Sequence, residues 1–154
     1  MLVIREMSEP DVEAILAIQR SSREAAQWSE GDYRTLAGDP NVLTLVAEID
    51  APARQLAGFA VLARLSDEAE LRNLAVDSVY RRRGVAKTLL NEAHRSLVAR
   101  GVKQVYLEVR ESNEAAKALY SALGYELQSR RRDYYQNPAE DALVWRLTLP
   151  VEGC

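Results

Sequence analysis

Residues 73–86 read Asn73-Leu74-Ala75-Val76-Asp77-Ser78-Val79-Tyr80-Arg81-Arg82-Arg83-Gly84-Val85-Ala86. An apolar strand ends at Val76, the chain turns, and Arg81-x-x-Gly84-x-Ala86 opens a helix. Its apolar face is Val85, Ala86, Leu89, Leu90, Ala93, Leu97 and Val98. The first N–H groups of a helix have no partner within it, so they form a preset anion site, and small residues let a phosphate approach the backbone. Three arginines at the positive end of a helix need a compensating anion or full exposure to water. On this stretch alone both readings stand, a phosphate cradle or a solvated arginine turn. No Gly-Lys-Ser/Thr follows, so it is not a nucleotide P-loop.

Working outward, the helix closes at Arg100-Gly101, with Gly101 as a left-handed cap. Gln104 to Arg110 is a strand with Val105, Leu107 and Val109 on one face. The strand–helix–strand crossover is right-handed, which makes strands 70–76 and 104–110 parallel neighbours. Upstream, Val42–Ile49 and Leu56–Ala63 form a hairpin around the turn-rich Asp50-Ala51-Pro52-Ala53-Arg54, and Glu70–Val76 extends the meander. Leu2–Glu6 is a short strand. Ser8-Glu9-Pro10-Asp11 opens a helix that runs to about Arg23, with Val12, Ile15, Leu16 and Gln19 on one face. Ser29-Glu30-Gly31-Asp32 starts a shorter one through Leu36. Downstream come a helix from Asn113 to Leu123, closed by Gly124, and strands Tyr125–Gln128 and Leu143–Leu149. The order β-α-α-β-β-β-α-β-α-β-β predicts an α+β fold: a mixed, mostly antiparallel seven-stranded sheet with helices on both faces.

The 154 residues suit one domain, 1–154, with 47 % apolar and 28 % charged side chains. A net charge of −3 argues against a broadly basic nucleic-acid binder. An RNA-binding reading through Arg81–Arg83 and Arg130–Arg132 therefore ranks low, and direct nucleic-acid binding is not expected. No apolar run approaches the length of a membrane span, and the start of the chain lacks the pattern of a signal peptide. These features predict a cytoplasmic protein, a monomer or weak dimer. A single cysteine, Cys154, and a single histidine, His94, exclude a disulfide framework and make a metal site improbable. His94, placed on the outer face of its helix, and Cys154 at the chain end are expected to be functionally inert.

Arg81-x-x-Gly84-x-Ala86, after a strand ending Asn-Leu-Ala-Val-Asp, resembles the pyrophosphate-binding motif of the GCN5-related N-acetyltransferases. The resemblance continues through Leu107-Glu108-Val109-Arg110-Glu111-Ser112-Asn113 to Ala118-Leu119-Tyr120 and Leu123-Gly124-Tyr125. Further shared pieces are Trp28-Ser29-Glu30, Asp67-Glu68-Ala69, Arg131-Arg132-Asp133-Tyr134-Tyr135 and Glu140-Asp141-Ala142. Within the family the chain is most similar to the branch that acetylates the N-terminal alanine of a small-subunit ribosomal protein. The cofactor this implies is acetyl-CoA, with coenzyme A as product, and the partner is a protein N-terminus.

The resemblance also implies a site. The strands around 70–76 and 104–110 splay, and the cofactor's pantetheine lies between them against Leu74, Ala75 and Val76. Its pyrophosphate meets the turn formed by Arg81, Arg82, Arg83, Gly84, Val85 and Ala86, and Asn113 hydrogen-bonds the cofactor, although plain N-capping explains that residue equally well. Glu108 corresponds to the general base and Tyr120 to the general acid. Read without the motif, Glu108 is an exposed strand carboxylate paired with an arginine, and Tyr120 is a core residue in phase with Ala116 and Leu123. A carboxylate of pKa about 4.3 taking a proton from an α-ammonium near 7.8 works uphill by roughly 5 kcal/mol, so Glu108 is expected to act through water or from a buried position. Trp28, Tyr33, Tyr134 and Tyr135 fall where the family grips a peptide; as residues they could equally plug the sheet end. Arg72 occupies a position that is an apolar aromatic in the ribosomal branch, so it bears on acceptor choice.

An α-amine of pKa about 7.8 keeps a useful neutral fraction near neutral pH, whereas lysine near 10.4 keeps about 0.1 %. That favours an N-terminal acceptor. Lysine side chains or a small-molecule amine are the alternative acceptors, and a non-catalytic acyl-CoA-binding module is the alternative of another class.

Overall fold

The computed structural model describes residues 1–50 and 53–150. Seven strands, β1 (Leu2–Glu6), β2 (Val42–Asp50), β3 (Arg54–Leu65), β4 (Glu68–Val76), β5 (Gln104–Arg110), β6 (Glu126–Tyr135) and β7 (Glu140–Thr148), form one sheet in the order β1-β2-β3-β4-β5-β7-β6. All neighbours are antiparallel except β4 and β5. Four helices, α1 (Val12–Arg20), α2 (Glu30–Ala37), α3 (Val85–Ala99) and α4 (Glu114–Ala122), connect them. The mixed α+β architecture is the one predicted.

Strand alternation sends successive side chains to opposite faces, and each face has its own core. Leu43, Leu45 and Leu62 pack with Leu89, Leu90 and Leu97 of α3 and with Val105 and Leu107 of β5. Val46, Phe59 and Val61 pack on the other face with Ile15 and Ile18 of α1 and Tyr33 of α2. Helices therefore cover both faces. Gly58 in β3 permits the close packing of β3, β4 and α3: a Cβ there would lie 2.8 Å from the carbonyl oxygen of Ala75 and 3.3 Å from Cγ1 of Val85.

Three expectations change. The first helix ends at Arg20 rather than Arg23, because the hydroxyls of Ser21 and Ser22 both donate back to the carbonyl of Ile18 and compete with helix continuation. The sixth strand runs to Tyr135 instead of stopping at Gln128. It is an edge strand exposed from Glu126 to Tyr134, so it carries no apolar alternation by which to be read. His94 is not on an outer face. It is only 9 % exposed, and its Nε2 lies 2.7 Å from the hydroxyl of Tyr125.

The hairpin of β2 and β3 forms as expected, with Asp50 opposite Arg54; residues 51 and 52 of its turn, and Cys154, lie outside the described residues. No helix among the described residues is long and apolar enough to cross a membrane.

Candidate active site

The parallel ladder between β4 and β5 is short. Glu68, Ala69 and Glu70 pair with Gln104, Val105 and Tyr106, and pairing then stops. Beyond it β4 stays bonded only to β3, and β5, paired with β7 along its whole length, has no other strand partner among the described residues. The splay expected from the resemblance is thus present. Its start coincides with a bulge in β4: Val61 faces Asn73 and Leu62 faces Leu71, which leaves Arg72 as the extra residue.

The backbone along the gap is set by antiparallel alternation. The N–H of Asp77 donates to the carbonyl of Ala57 in β3, so residues 74 and 76 turn their backbone groups toward β5. Leu74 N–H already donates to Oδ1 of Asn73, and the Val76 carbonyl accepts from Nε of Arg81. Ala75 does not share this placement. Its carbonyl faces Gly58 of β3 and its side chain is buried against α1 and α2, so it turns away from the gap.

At the end of β4 a 3₁₀ turn over Ser78–Tyr80 leads to Arg81, Arg82, Arg83 and Gly84. Arg82 has φ +63° and Gly84 φ +77°, two left-handed residues that fold the chain into a concave turn ahead of α3. Gly84 is the N-cap and supplies no side-chain hydrogen bond to the helix. The N–H groups of the first turn, Val85 and Ala86 among them, are therefore left to a ligand or to water. A Cβ at Gly84 would meet nothing within 4 Å, so the turn is open where a phosphate would approach. Arg83 lies over the ring of Tyr80, with 5.9 Å from its guanidinium to the centroid. These features fit a diphosphate-bearing cofactor.

Glu108 is half-buried on the face of β5 that also carries Tyr106 and Arg110. Arg131 of β6 reaches it, Nε to Oε1 3.3 Å. Both line a cavity of about 540 Å³, together with Glu68, Glu70 and Arg72 of β4 and Asp39 beyond α2. Tyr120 is 7 % exposed in the α3 core, with its ring 5.7 Å from that of Tyr125. Burial pushes its phenol pKa well up, so it stays protonated. Asn113 caps α4, its side chain accepting the N–H of Ala116 at 3.1 Å.

The aromatic residues divide. Trp28 is half-buried on Tyr33, with centroids 5.6 Å apart, while Tyr134 is exposed and Tyr135 half-buried at the end of β6. Arg110 lies over the ring of Tyr135 at 4.1 Å and also pairs with Glu140 at 3.3 Å and with Glu24 at 4.0 Å. These contacts draw the β6–β7 end toward the α1–α2 connection. Tyr33 is different. It is fully buried, donates to Oε1 of Gln19, accepts from Nδ2 of Asn73 and packs edge-on against Phe59. No surface is left to touch an acceptor, so its expected place among the peptide-gripping residues is corrected: it supports the loop that carries Trp28.

Sequence reasoning missed Arg131 as the partner of Glu108, and it missed Asn73 and Gln19 as buried anchors. A signal existed for the last two, since each is a polar amide inside an apolar pattern.

A profile of the Acetyltransferase (GNAT) family matches residues 12–125. The chain is 37 % identical over 153 residues to the [Ribosomal protein bS18]-alanine N-acetyltransferase of Salmonella typhimurium, covering 98 % of this chain and 99 % of that one. Identity to the protein of the same name from Escherichia coli K12 is 35 % over the same span. The fold superposes on the crystal structure of the ribosomal-protein-S18-alanine N-acetyltransferase from Escherichia coli with a TM-score of 0.85, at 33 % identity, covering 99 % of this chain and 97 % of that one. The chain belongs to the GNAT acetyltransferase family. It is an N-acetyltransferase, and members of this family use acetyl-CoA.

Proposed function

We propose that this enzyme acetylates the N-terminal α-amine of a protein, and that its acceptor is the N-terminal alanine of ribosomal protein bS18. The observation that carries the reading is the cavity on the Glu108 face. Four carboxylates, Asp39, Glu68, Glu70 and Glu108, line it against three arginines, Arg64, Arg72 and Arg131, of which Arg131 is paired with Glu108, so the wall keeps a net negative charge. Such a wall attracts a cationic chain end. The particular acceptor is supported by the bS18-alanine acetyltransferases, whose likeness spans nearly the whole of both chains, the acceptor-side elements included.

Bound acetyl-CoA supplies the acetyl group as an activated thioester. N–H groups of Arg82 to Ala86 would hold its diphosphate, and the gap-facing backbone of Leu74 and Val76 its pantetheine arm. Glu108, oriented by Arg131, takes through water the proton that the amine loses as its nitrogen bonds the acetyl carbon, the point at which that N–H becomes acidic. Tyr120 holds a proton on its phenol for the leaving side. Trp28, Arg72, Tyr134 and Tyr135 border the acceptor.

Intact-mass spectrometry with acetyl-CoA and two peptides tests this. One begins Ala-Arg and lacks lysine; the other has a blocked N-terminus and one internal lysine. Gain of one acetyl group on the first alone is expected. Gain on the second alone would move the enzyme to the lysine branch. No gain on either, with acetyl-CoA still bound, would leave a small-molecule acceptor or a non-catalytic acyl-CoA holder.

A further inference from the structure

The segment that carries Trp28, residues 21–29, lies between α1 and α2 and belongs to no strand. Three side chains from elsewhere anchor its backbone. Gln19 exchanges hydrogen bonds with the carbonyl and N–H of Trp28. Asn73 accepts from the N–H of Ala26 and donates to its carbonyl, both at 3.0 Å. At the start of the segment, Nη2 of Arg81 donates to the carbonyl of Ser21 and to Oγ of Ser22, each at 3.3 Å, and Nε donates to the carbonyl of Val76 at 3.1 Å. Ser22 is buried, and its own hydroxyl is spent on Ile18.

The anchor at Arg81 differs from the other two. Gln19 and Asn73 sit on regular elements, whereas Arg81 lies in the turn between the 3₁₀ segment and α3, next to Arg82 at φ +63°. Whatever fixes the backbone of 82–86 also fixes the base of the Arg81 side chain. A guanidinium suits this place because its planar fork bonds several acceptors in set directions at once. Ordering one of two mechanically joined segments lowers the entropic cost of ordering the other.

We propose that Arg81 is a positioning residue that couples the two substrate sites: a ligand seated on the 82–86 turn stiffens the 21–29 wall of the acceptor side through the Arg81 guanidinium. The proposal rests on the reading of 82–86 as the cofactor turn.

Hydrogen exchange of the full chain, with and without saturating coenzyme A, tests it without an acceptor and without turnover. In the wild type, coenzyme A is expected to slow exchange across 21–29 several-fold. In Arg81→Leu that slowing is lost when both proteins are compared at saturating coenzyme A, while β2 and β3 exchange as in the wild type; Arg81→Lys restores part of it. Equal slowing in wild type and Arg81→Leu would overturn the coupling. So would a variant whose defect is lost coenzyme A affinity, with the 21–29 response intact once saturated, since that is the behaviour of a plain phosphate ligand. Failure of the wild type to bind coenzyme A would sink the assignment of the turn itself. Binding with no effect on 21–29 would sink the coupling alone.

Discussion

Arg131 sets its Nε 3.3 Å from Oε1 of Glu108 and lays its guanidinium 5.3 Å from the ring centre of Tyr134. One cation from the edge strand thus ties the proposed base to an aromatic residue at the acceptor side. Glu108→Gln keeps the shape and removes the proton acceptor, and is expected to lower kcat by about 10²-fold with coenzyme A affinity unchanged. Arg131→Gln leaves the carboxylate without its orienting partner and is expected to cost about tenfold in kcat/KM for the peptide. Wild-type turnover in Glu108→Gln would remove it from the base role.

Gly84 separates strain from blockage. Its φ of +77° is unfavourable for any side chain, but a Cβ meets nothing within 4 Å. Gly84→Ala should therefore cost about 1 kcal/mol of stability and retain coenzyme A. Gly84→Glu adds bulk and negative charge where a phosphate approaches, and isothermal titration should show coenzyme A binding lost from a folded protein. Unchanged affinity would move the diphosphate elsewhere.

Tyr120→Phe tests the leaving side. Desolvation is the cause of the raised phenol pKa, with no hydrogen bond contributing, so the hydroxyl adds little to stability. Urea titration of Tyr120→Phe should match the wild type within about 1 kcal/mol. Turnover should slow without being abolished, because a thiol of pKa about 8.5 leaves tolerably as an anion near neutral pH. Full activity would exclude a proton-donor role.

His94 should give the fold a pH dependence. Burial lowers its pKa from 6.5 to about 4. Between these values the unfolded chain binds a proton that the folded chain refuses. The stabilisation is therefore complete above about pH 6.5 and is lost as pH falls toward 4, by roughly 3 kcal/mol in all. His94→Gln keeps a partner for the Tyr125 hydroxyl and cannot titrate, so its stability should fall less over that window. Parallel curves for the two proteins would contradict the assignment.

Gly58→Ala should destabilise by about 2 kcal/mol, since the new methyl meets the Ala75 carbonyl, which belongs to the sheet and cannot swing aside. Thermal melting reads this directly.

Local chemistry made much of this protein legible. The period change after Val76, the glycine and small residue at 84 and 86, and the alternation of Val105, Leu107 and Val109 are each dictated by neighbours in the chain. The strands and the helices follow from them, and so does the side of β5 on which Glu108 stands, whereas the splay and the phosphate reading of the turn come only with the family resemblance. The edge strand β6 escaped because it buries neither face, and exposed residues carry no period to read.

What the tertiary structure alone decided is who meets whom across distance. Tyr33 and Trp28 look alike as loop aromatics, yet only packing on Phe59 and hydrogen bonds to Gln19 and Asn73 make Tyr33 a core residue. His94 lies inside because Tyr125, far along the chain, offers it a hydroxyl. Arg131 finds Glu108 because β7 lies between β6 and β5 in the sheet and holds both in register. A one-dimensional pattern specifies which face a side chain takes; its partner on that face depends on strand order and helix docking, which involve the whole chain at once.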